Sequence, residues 1–259
     1  MTGGSVGIVV PAYQPDISQL QQYIKAINKN ISPNTIIIEI DSPEKDTERQ
    51  LSDIPARVET VPYRRGKGAA VTEGFEKLET DTFAFADADG ATPTDSLADV
   101  IKPVQMSSAD LSVGSRRHPR SDIDADQTIV RQFLGSGFTW LAKTILPIKL
   151  FDYQCGAKAI SANCWDKVRE HLYESGFAWD IELIAIAGAL DSQIEEVPIK
   201  WKDRPGSTVD PVWDSINLFK SLITARHRAK QLSGDRLHKV IAGYSREQTP
   251  IIDSKNESS

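Results

Sequence analysis

Apolar runs that read as strands alternate with helix-patterned segments along most of this chain. That alternation predicts an α/β fold, a mostly parallel sheet flanked by helices in a single domain. Two further observations support it. Val6–Val10 and Asn34–Ile40 are apolar at consecutive rather than alternate positions, as strands covered on both faces must be. Three of the runs end on Pro11, Asp41 and Asp87, and ligands of open α/β sheets sit beyond such carboxyl ends.

The elements follow in order. Pro11 ends the first strand. Asp16 and Gln19 have capping-box spacing ahead of a helix whose Leu20, Tyr23, Ile24 and Ile27 share one face. Asp41 closes the second strand, and Ser42-Pro43 starts a short polar helix. Arg57–Val61 is a weaker third strand. The turn Arg64-Arg65-Gly66-Lys67-Gly68 opens the next helix, and Thr82–Ala86 is the fourth strand. After it, Thr92 is expected as N-cap, with Pro93 at the first helical position and Asp95 in capping-box spacing. Asp110–Gly114 leads into Ser115-Arg116-Arg117. Pro119–Gln127 is a polar loop able to close over a substrate, and its second DAD, Asp124–Asp126, follows no strand and reads as solvated. A helix is expected over about Gln127–Leu146, with Arg131 near its start. Asp152–Ile160 reads as a strand or hairpin arm. Ser161 caps a helix that holds Trp165 and Val168, and Trp179–Leu190 is a buried helix. Gln193–Trp201 is the last strand. Val212–Leu232 is an amphipathic helix with Ile216, Phe219, Leu222 and Ile223. The domain is thus expected over residues 1–232, with 233–259 a polar, disordered tail.

Composition narrows the function. The chain has 259 residues, 40% hydrophobic and 25% charged, enough for one sizeable core. Its net charge of -6 argues against nucleic acid as a partner. Cys155 and Cys164 make neither a disulfide framework nor a metal cluster and are expected as reduced thiols, with Cys155 a small packed residue. Met1–Ser5 lacks the basic start and apolar core of a secretion signal, and no run reaches the ~20 apolar residues that span a bilayer. A cytoplasmic protein, soluble or peripheral on a membrane, is the expectation.

The richest stretch is Phe83–Pro93, FAFADADGATP. Asp87 and Asp89, one residue apart at a strand's end, can both reach one hard cation, and Mg2+ or Mn2+ suits such an oxygen site. Arg64, Arg65, Lys67, Arg116, Arg117, Arg131 and Arg204 lie in turns or at helix starts near strand ends, and arginine contacts phosphate oxygens in bidentate fashion. Gly66 and Gly68 let a backbone approach a phosphate. A metal beside phosphate-competent cations suggests a nucleotide-diphosphate substrate, with the metal stabilising the leaving diphosphate.

These residues carry a resemblance. VVPAYQ, RGKGAAVTEGF, FADADGATP, VGSRR, DYQCGAKAI, GFAWDIEL and VPIKWKDRPGS recur in the order found in family 2 glycosyltransferases of the GT-A fold, a Rossmann-like sheet flanked by helices. The likeness spans about Val6–Ser207 and is narrowest to the dolichyl-phosphate glucosyltransferase and mannosyltransferase branch. It implies that Asp87 and Asp89 bind the metal of a UDP- or GDP-sugar. It further implies that Pro11, Ala12, Tyr13 and Asp41 hold base and ribose, that Lys67 lies by the nucleotide, and that Arg204 and Ser207 belong to a loop near the diphosphate. Arg116 and Arg131 match arginines that contact the acceptor phosphate. Two positions depart from the pattern. Ile40 and Ser42-Pro43 flank Asp41 where the family often has a second acid and Gly-Ser. Ala91 stands where the mannosyltransferase branch often has a glutamine, as in the glucosyltransferase branch.

The implied reaction is inverting transfer of a hexose, glucose favoured, from the donor to a polyprenyl (dolichyl) phosphate, a step in glycan or glycoprotein assembly. Asp89, Arg116 and Arg131 are its expected catalytic residues. A lipid phosphate is already anionic and needs no general base; a hydroxyl acceptor would need one, and Asp180 or Glu182 would then be the candidates. A non-catalytic sugar-nucleotide-binding subunit is the third alternative. Phe133, Phe138, Trp140 and Leu141, with the basic helix end near Arg228, are the features that could dock on the cytoplasmic face of a membrane.

Overall fold

The structure, a computed structural model, describes residues 4–124, 139–202, 211–234 and 249–253. Nine strands are found among them: β1 (Val6–Tyr13), β2 (Thr35–Asp41), β3 (Arg57–Val61), β4 (Thr82–Ala86), β5 (Leu111–Ser115), β6 (Asp122–Asp124), β7 (Ala157–Ser161), β8 (Ile194–Pro198) and β9 (Lys200–Lys202). The helices are α1 (Ile17–Ile31), α2 (Thr47–Gln50), α3 (Lys67–Phe75), α4 (Thr94–Gln105), α5 (residues 139–145), α6 (Ala162–Val168), α7 (Trp179–Ala189) and α8 (Pro211–Leu232).

One seven-stranded sheet runs β3-β2-β1-β4-β7-β5-β8, and β6 pairs with β9 in a separate ribbon. All neighbours in the large sheet are parallel except β7, which is antiparallel to both β4 and β5. The pleat sorts the apolar runs onto two cores. Val9, Ile37, Phe83 and Phe85 face one side with Val71, Phe75, Trp165 and Trp179. Ile8, Val10, Ile36, Ile38, Ala84 and Ala86 face the other with Leu20, Tyr23, Ile24, Ile27 and Leu97. Both faces are covered, which is why these strands read as unbroken apolar runs.

The local signals hold at several points. Asp16 caps α1 by accepting from the Gln19 N–H at 3.0 Å, and Ser161 caps α6 by accepting from the Cys164 N–H at 3.2 Å. Others change. Pro93, not Thr92, is the N-cap of α4, and no side chain caps that helix. Thr92 is drawn inward instead, its carbonyl accepting from Tyr23 Oη at 2.8 Å. The loop after β5 contains a strand, β6, so Asp124 of the second DAD pairs in register with Lys202 rather than lying in irregular chain; Ala125 and Asp126 lie outside the described residues. The single last strand divides into β8 and β9. Within the expected tail, Ile251 returns to the body, donating its N–H to Leu172 C=O at 2.9 Å and packing on the first core.

Trp165 anchors that core: it is fully buried, meets Phe75 edge-on at 5.0 Å, and donates its indole N–H to Glu76 at 2.8 Å. We expect Trp165→Ala to lower unfolding free energy by about 3–5 kcal/mol in urea titrations. Asp16→Ala, which removes only a cap, is expected to lower it by about 1 kcal/mol.

Candidate active site

The strand order reverses between β1 and β4, and such a switch point opens a crevice at the carboxyl edge of the sheet. β1 runs on past its last pairing with β4, at Val9↔Phe85, and stays paired only with β2. Pro11 is tolerated there inside the strand, because one flank of β1 no longer needs ladder donors. Pro11, Ala12 and Tyr13 therefore extend past β4 at this edge of the sheet. Tyr13 is exposed, and the Arg64 guanidinium lies 4.3 Å from its ring centroid.

The Asp87-Ala88-Asp89 turn forms the floor. Asp87 donates its N–H to Gly156 C=O at 2.9 Å, and a Cβ at Gly156 would run into the Asp87 carboxylate. Gly90 adopts φ 62°, a conformation that suits glycine, and Ala91 donates its N–H to Asp89 Oδ1 at 2.9 Å. The Gln19 side-chain amide donates to Asp89 C=O. Asp87 is partly exposed and Asp89 exposed, so carboxylate oxygens reach the crevice from a backbone fixed on both sides. Burial raises the Tyr23 hydroxyl pKa far above its usual value, and the negative potential of Asp89 and Asp87 adds to the shift. Among the described residues no group of three or more His, Cys, Asp or Glu could hold a metal. The pair fits an ion that takes one or two carboxylates and completes its shell with water and phosphate, as Mg2+ and Mn2+ do, and does not fit a closed structural site.

Behind Asp87 lies a line of alternating charge. Lys67 Nζ is 2.9 Å from Asp87 Oδ1 and 3.1 Å from Asp180 Oδ2. Lys158 Nζ donates to Asp180 Oδ1 at 2.6 Å and to Cys155 C=O at 2.7 Å. Burial opposes ionisation of Asp180, but Lys158 and Lys67 more than offset it and hold the carboxyl below its ordinary range. Glu182 accepts from the Tyr173 and Glu174 N–H groups at 2.8 and 2.7 Å and pairs with Arg228. Both acids, the candidates for a base only if the acceptor were a hydroxyl, are thus buried in ion pairs. Arg228 is likewise an internal ion-pair partner, its guanidinium 4.5 Å from the Tyr173 ring centroid, and not a membrane-facing charge.

The Arg64–Gly68 turn is held by acids of β2. Asp41 Oδ2 accepts from the Arg65 and Gly66 N–H groups at 2.7 and 2.9 Å, and Oδ1 accepts from Arg65 Nε at 2.8 Å. The Arg65 guanidinium continues to Glu39 at 3.0 Å, which also pairs with Lys77 at 2.8 Å. Asp41 thus shapes the turn rather than presenting a free carboxylate to a base or ribose, because the turn's N–H groups need an acceptor and Gly66, at φ 98°, aims them at it. Gly68 lets the turn dock: a Cβ there would lie 2.5 Å from Glu174 C=O.

Across the crevice, Arg116 pairs with buried Asp152 through Nε–Oδ2 at 2.6 Å and NH2–Oδ1 at 3.0 Å. Burial opposes charge on both partners, but the pairing outweighs it; Asp152 stays ionised far below the usual carboxylate range and Arg116 stays cationic. Its guanidinium lies 5.9 Å from the Trp201 ring centroid. Arg117 turns toward Thr139, 3.2 Å away. Arg131, Arg204 and Ser207 lie outside the described residues. Cys155 is buried as expected, and burial pushes its thiol up to about 12.

Glu39, Asp152 and Lys158 escaped the sequence reading as site residues. Each is a charge inside an apolar stretch, in TIIIEID, LFDYQCG and CGAKAI, and that mismatch is the signal that could have found them. We expect Gly156→Ala to displace the Asp87 carboxylate and lower turnover at least ~100-fold, with far-UV circular dichroism unchanged.

Comparison with known proteins agrees with this architecture. The family model Glycosyl transferase family 2 matches residues 7–163. A dolichyl-phosphate beta-glucosyltransferase of Dictyostelium discoideum is 29% identical over 244 residues, covering 86% of this chain and 74% of that protein. The protein of that name from Saccharomyces cerevisiae is 32% identical over 181 residues, covering 66% of this chain and 54% of its own length. Among solved structures, glucosyl-3-phosphoglycerate synthase from Mycobacterium tuberculosis, in complex with Mn2+, UDP-glucose and phosphoglyceric acid, superimposes with a TM-score of 0.67. It is 17% identical and covers 86% of this chain and 80% of its own. Mannosyl-3-phosphoglycerate synthase from Rubrobacter xylanophilus gives 0.63 at 17% identity, covering 89% and 75%. At these identities the structures speak for the fold, while the match over residues 7–163 speaks for descent: the chain belongs to glycosyl transferase family 2.

Proposed function

We propose that the chain transfers a hexose, glucose in first place, from a nucleotide-diphosphate sugar to a dolichyl-type polyprenyl phosphate, inverting the anomeric carbon. The observation that carries this reading is the pairing of opposites across the crevice. Asp87 and Asp89 lie at the end of β4, and Arg116, clamped by Asp152, lies at the end of β5. The curated relatives named dolichyl-phosphate beta-glucosyltransferase support the choice of donor sugar and acceptor.

Each residue's part follows from its chemistry. Asp87 and Asp89 would hold Mg2+ or Mn2+, which when bound supplies Lewis-acid stabilisation of the leaving diphosphate. Tyr13 with Arg64 offers a flat cationic surface at the end of β1 for a nucleobase, beside Pro11 and Ala12. Lys67 supplies positive charge next to Asp87. Arg116 has its Nε and one amino group fixed on Asp152, which leaves the other amino group to meet an anion in a set orientation. We assign it the acceptor phosphate, together with Arg131; Arg204 and Ser207 complete the diphosphate side. A phosphate monoester is ionised near neutral pH, and burial of Asp180 and Glu182 in ion pairs favours such an acceptor over a hydroxyl that requires a base.

The lipid acceptor implies a surface that meets the membrane. Among the described residues no helix is long and apolar enough to cross one. Trp140, 69% exposed, adjoins a cluster in which Phe151 carries Lys143 at 3.8 Å and His118 at 5.5 Å. This aromatic and basic face near Arg117 is our candidate for peripheral contact on the cytoplasmic side. Leu141 packs inward against the core, and Phe133 and Phe138 lie outside the described residues. On α8, Leu222, Ala225 and Ala229 are buried, while Phe219 and Ile223 are exposed.

The direct test is turnover by the purified protein with Mg2+ or Mn2+ and dolichyl phosphate, offering UDP-glucose against GDP-mannose. A lipid-linked glucose is expected, with Asp89→Ala and Arg131→Ala each at least ~100-fold slower; donor hydrolysis alone would remove the lipid-phosphate acceptor. In liposome flotation, Trp140→Ala with Lys143→Glu is expected to release at least half of the protein from vesicles containing anionic lipid, and unchanged flotation would reject this face.

A further inference from the structure

We infer that Lys67 couples cation binding at Asp87 to binding of a diphosphate anion beside it, and that Asp180 and Lys158 set the strength of that coupling. This rests on the reading of Asp87 as a metal ligand. Lys67 is the first residue of α3, and its backbone is fixed by the Asp41-held turn. Its side chain runs through a largely buried slot beside Phe85, with the ammonium 4.9 Å from that ring centroid. The ammonium is shared between Asp87 and Asp180.

A divalent cation on Asp87 must share its carboxylate with this ammonium, and like charges repel most where water is thin. The repulsion can be relieved in two ways. Lys67 can turn wholly to Asp180, but that acid already serves Lys158 at 2.6 Å, which limits what it can add. Alternatively, an anion can sit beside both cations. A diphosphate does this, so cation and anion each raise the other's affinity, and the linkage is reciprocal. Lys158 is 1% exposed and never reaches the crevice; it acts through Asp180 as a positioning residue.

The test measures Mn2+ affinity by calorimetry, alone and with saturating UDP. Wild type is expected to bind Mn2+ at least ~10-fold tighter with UDP. Lys67→Met is expected to bind Mn2+ alone about 5-fold tighter than wild type, with the UDP enhancement reduced to about 2-fold. Asp180→Asn, which leaves Lys67 to Asp87 alone, is expected to do the reverse: weaker Mn2+ alone and a larger UDP enhancement. Weaker binding with a smaller enhancement in both variants would mean a merely structural role and would overturn the inference. Should either variant fail to give a native near-UV spectrum, the other decides it: Lys67→Met no tighter than wild type for Mn2+ alone, or Asp180→Asn with a UDP enhancement no larger than wild type, overturns the coupling. Asp87→Ala separates the two levels. If it binds Mn2+ with UDP as tightly as wild type, the metal-site reading falls and the coupling with it. If it abolishes binding while Lys67→Met is no tighter than wild type, only the coupling falls.

Discussion

The site depends on one ammonium group. Lys67 Nζ joins the end of β4, through Asp87, to the first turn of α7, through Asp180, and Asp180 in turn fixes Lys158 on β7. Charges taken this far from water are tolerated only when each faces its opposite. The line has two cations and two anions, so its formal charge balances. Removing Asp180 would leave the buried Lys158 ammonium with only the Cys155 carbonyl, a far larger penalty than losing a surface pair. The rest of the crevice is arranged around this line. The turn that carries Lys67 is tied to β2 by Asp41, and α7 is packed into the first core by Trp179, which meets Phe85 at 5.7 Å.

Two clamps of similar design face each other. Asp41 and Glu39 hold Arg65 after β3, and Asp152 holds Arg116 after β5. In each, buried carboxylate holds the guanidinium through two nitrogens. Such pairs fix a guanidinium's orientation before any ligand arrives, which lowers the entropy lost on binding. The glycines at 66, 68, 90 and 156 serve the same end, because side chains there would collide with neighbours or strain the turn.

The fold was legible because burial on both faces writes itself directly into β1, β2 and β4, and because Asp16 and Ser161 announce the helices they cap. The strand-end acids were legible as a pair, and their place at the end of β4 followed from the apolar run before them. What was not legible depends on contacts between segments far apart in sequence. Asp180 read as a candidate base for a hydroxyl acceptor, yet its partners are residues 67 and 158. Asp41 read as a ligand-binding acid, yet its partners are the N–H groups of a turn two elements later. A single sequence shows that a charge sits among apolar neighbours, but the partner that makes it tolerable is supplied only by the fold.

The reversed direction of β7 has a consequence of its own. β5 arrives at the crevice rim at Ser115, and because β7 runs the other way, Ala157 departs from that same rim. The described parts of the excursion between Arg116 and Gly156 pack back on the body, with Ala142, Leu146, Leu150 and Tyr153 in the first core. The entropy of closing such an excursion grows only slowly with its length. Its length can therefore vary only between these contacts, because Gly156 holds Asp87 and Asp152 holds Arg116. One antiparallel strand thus brings both ends of a long segment, and the residues that hold Asp87 and Arg116, to the same rim.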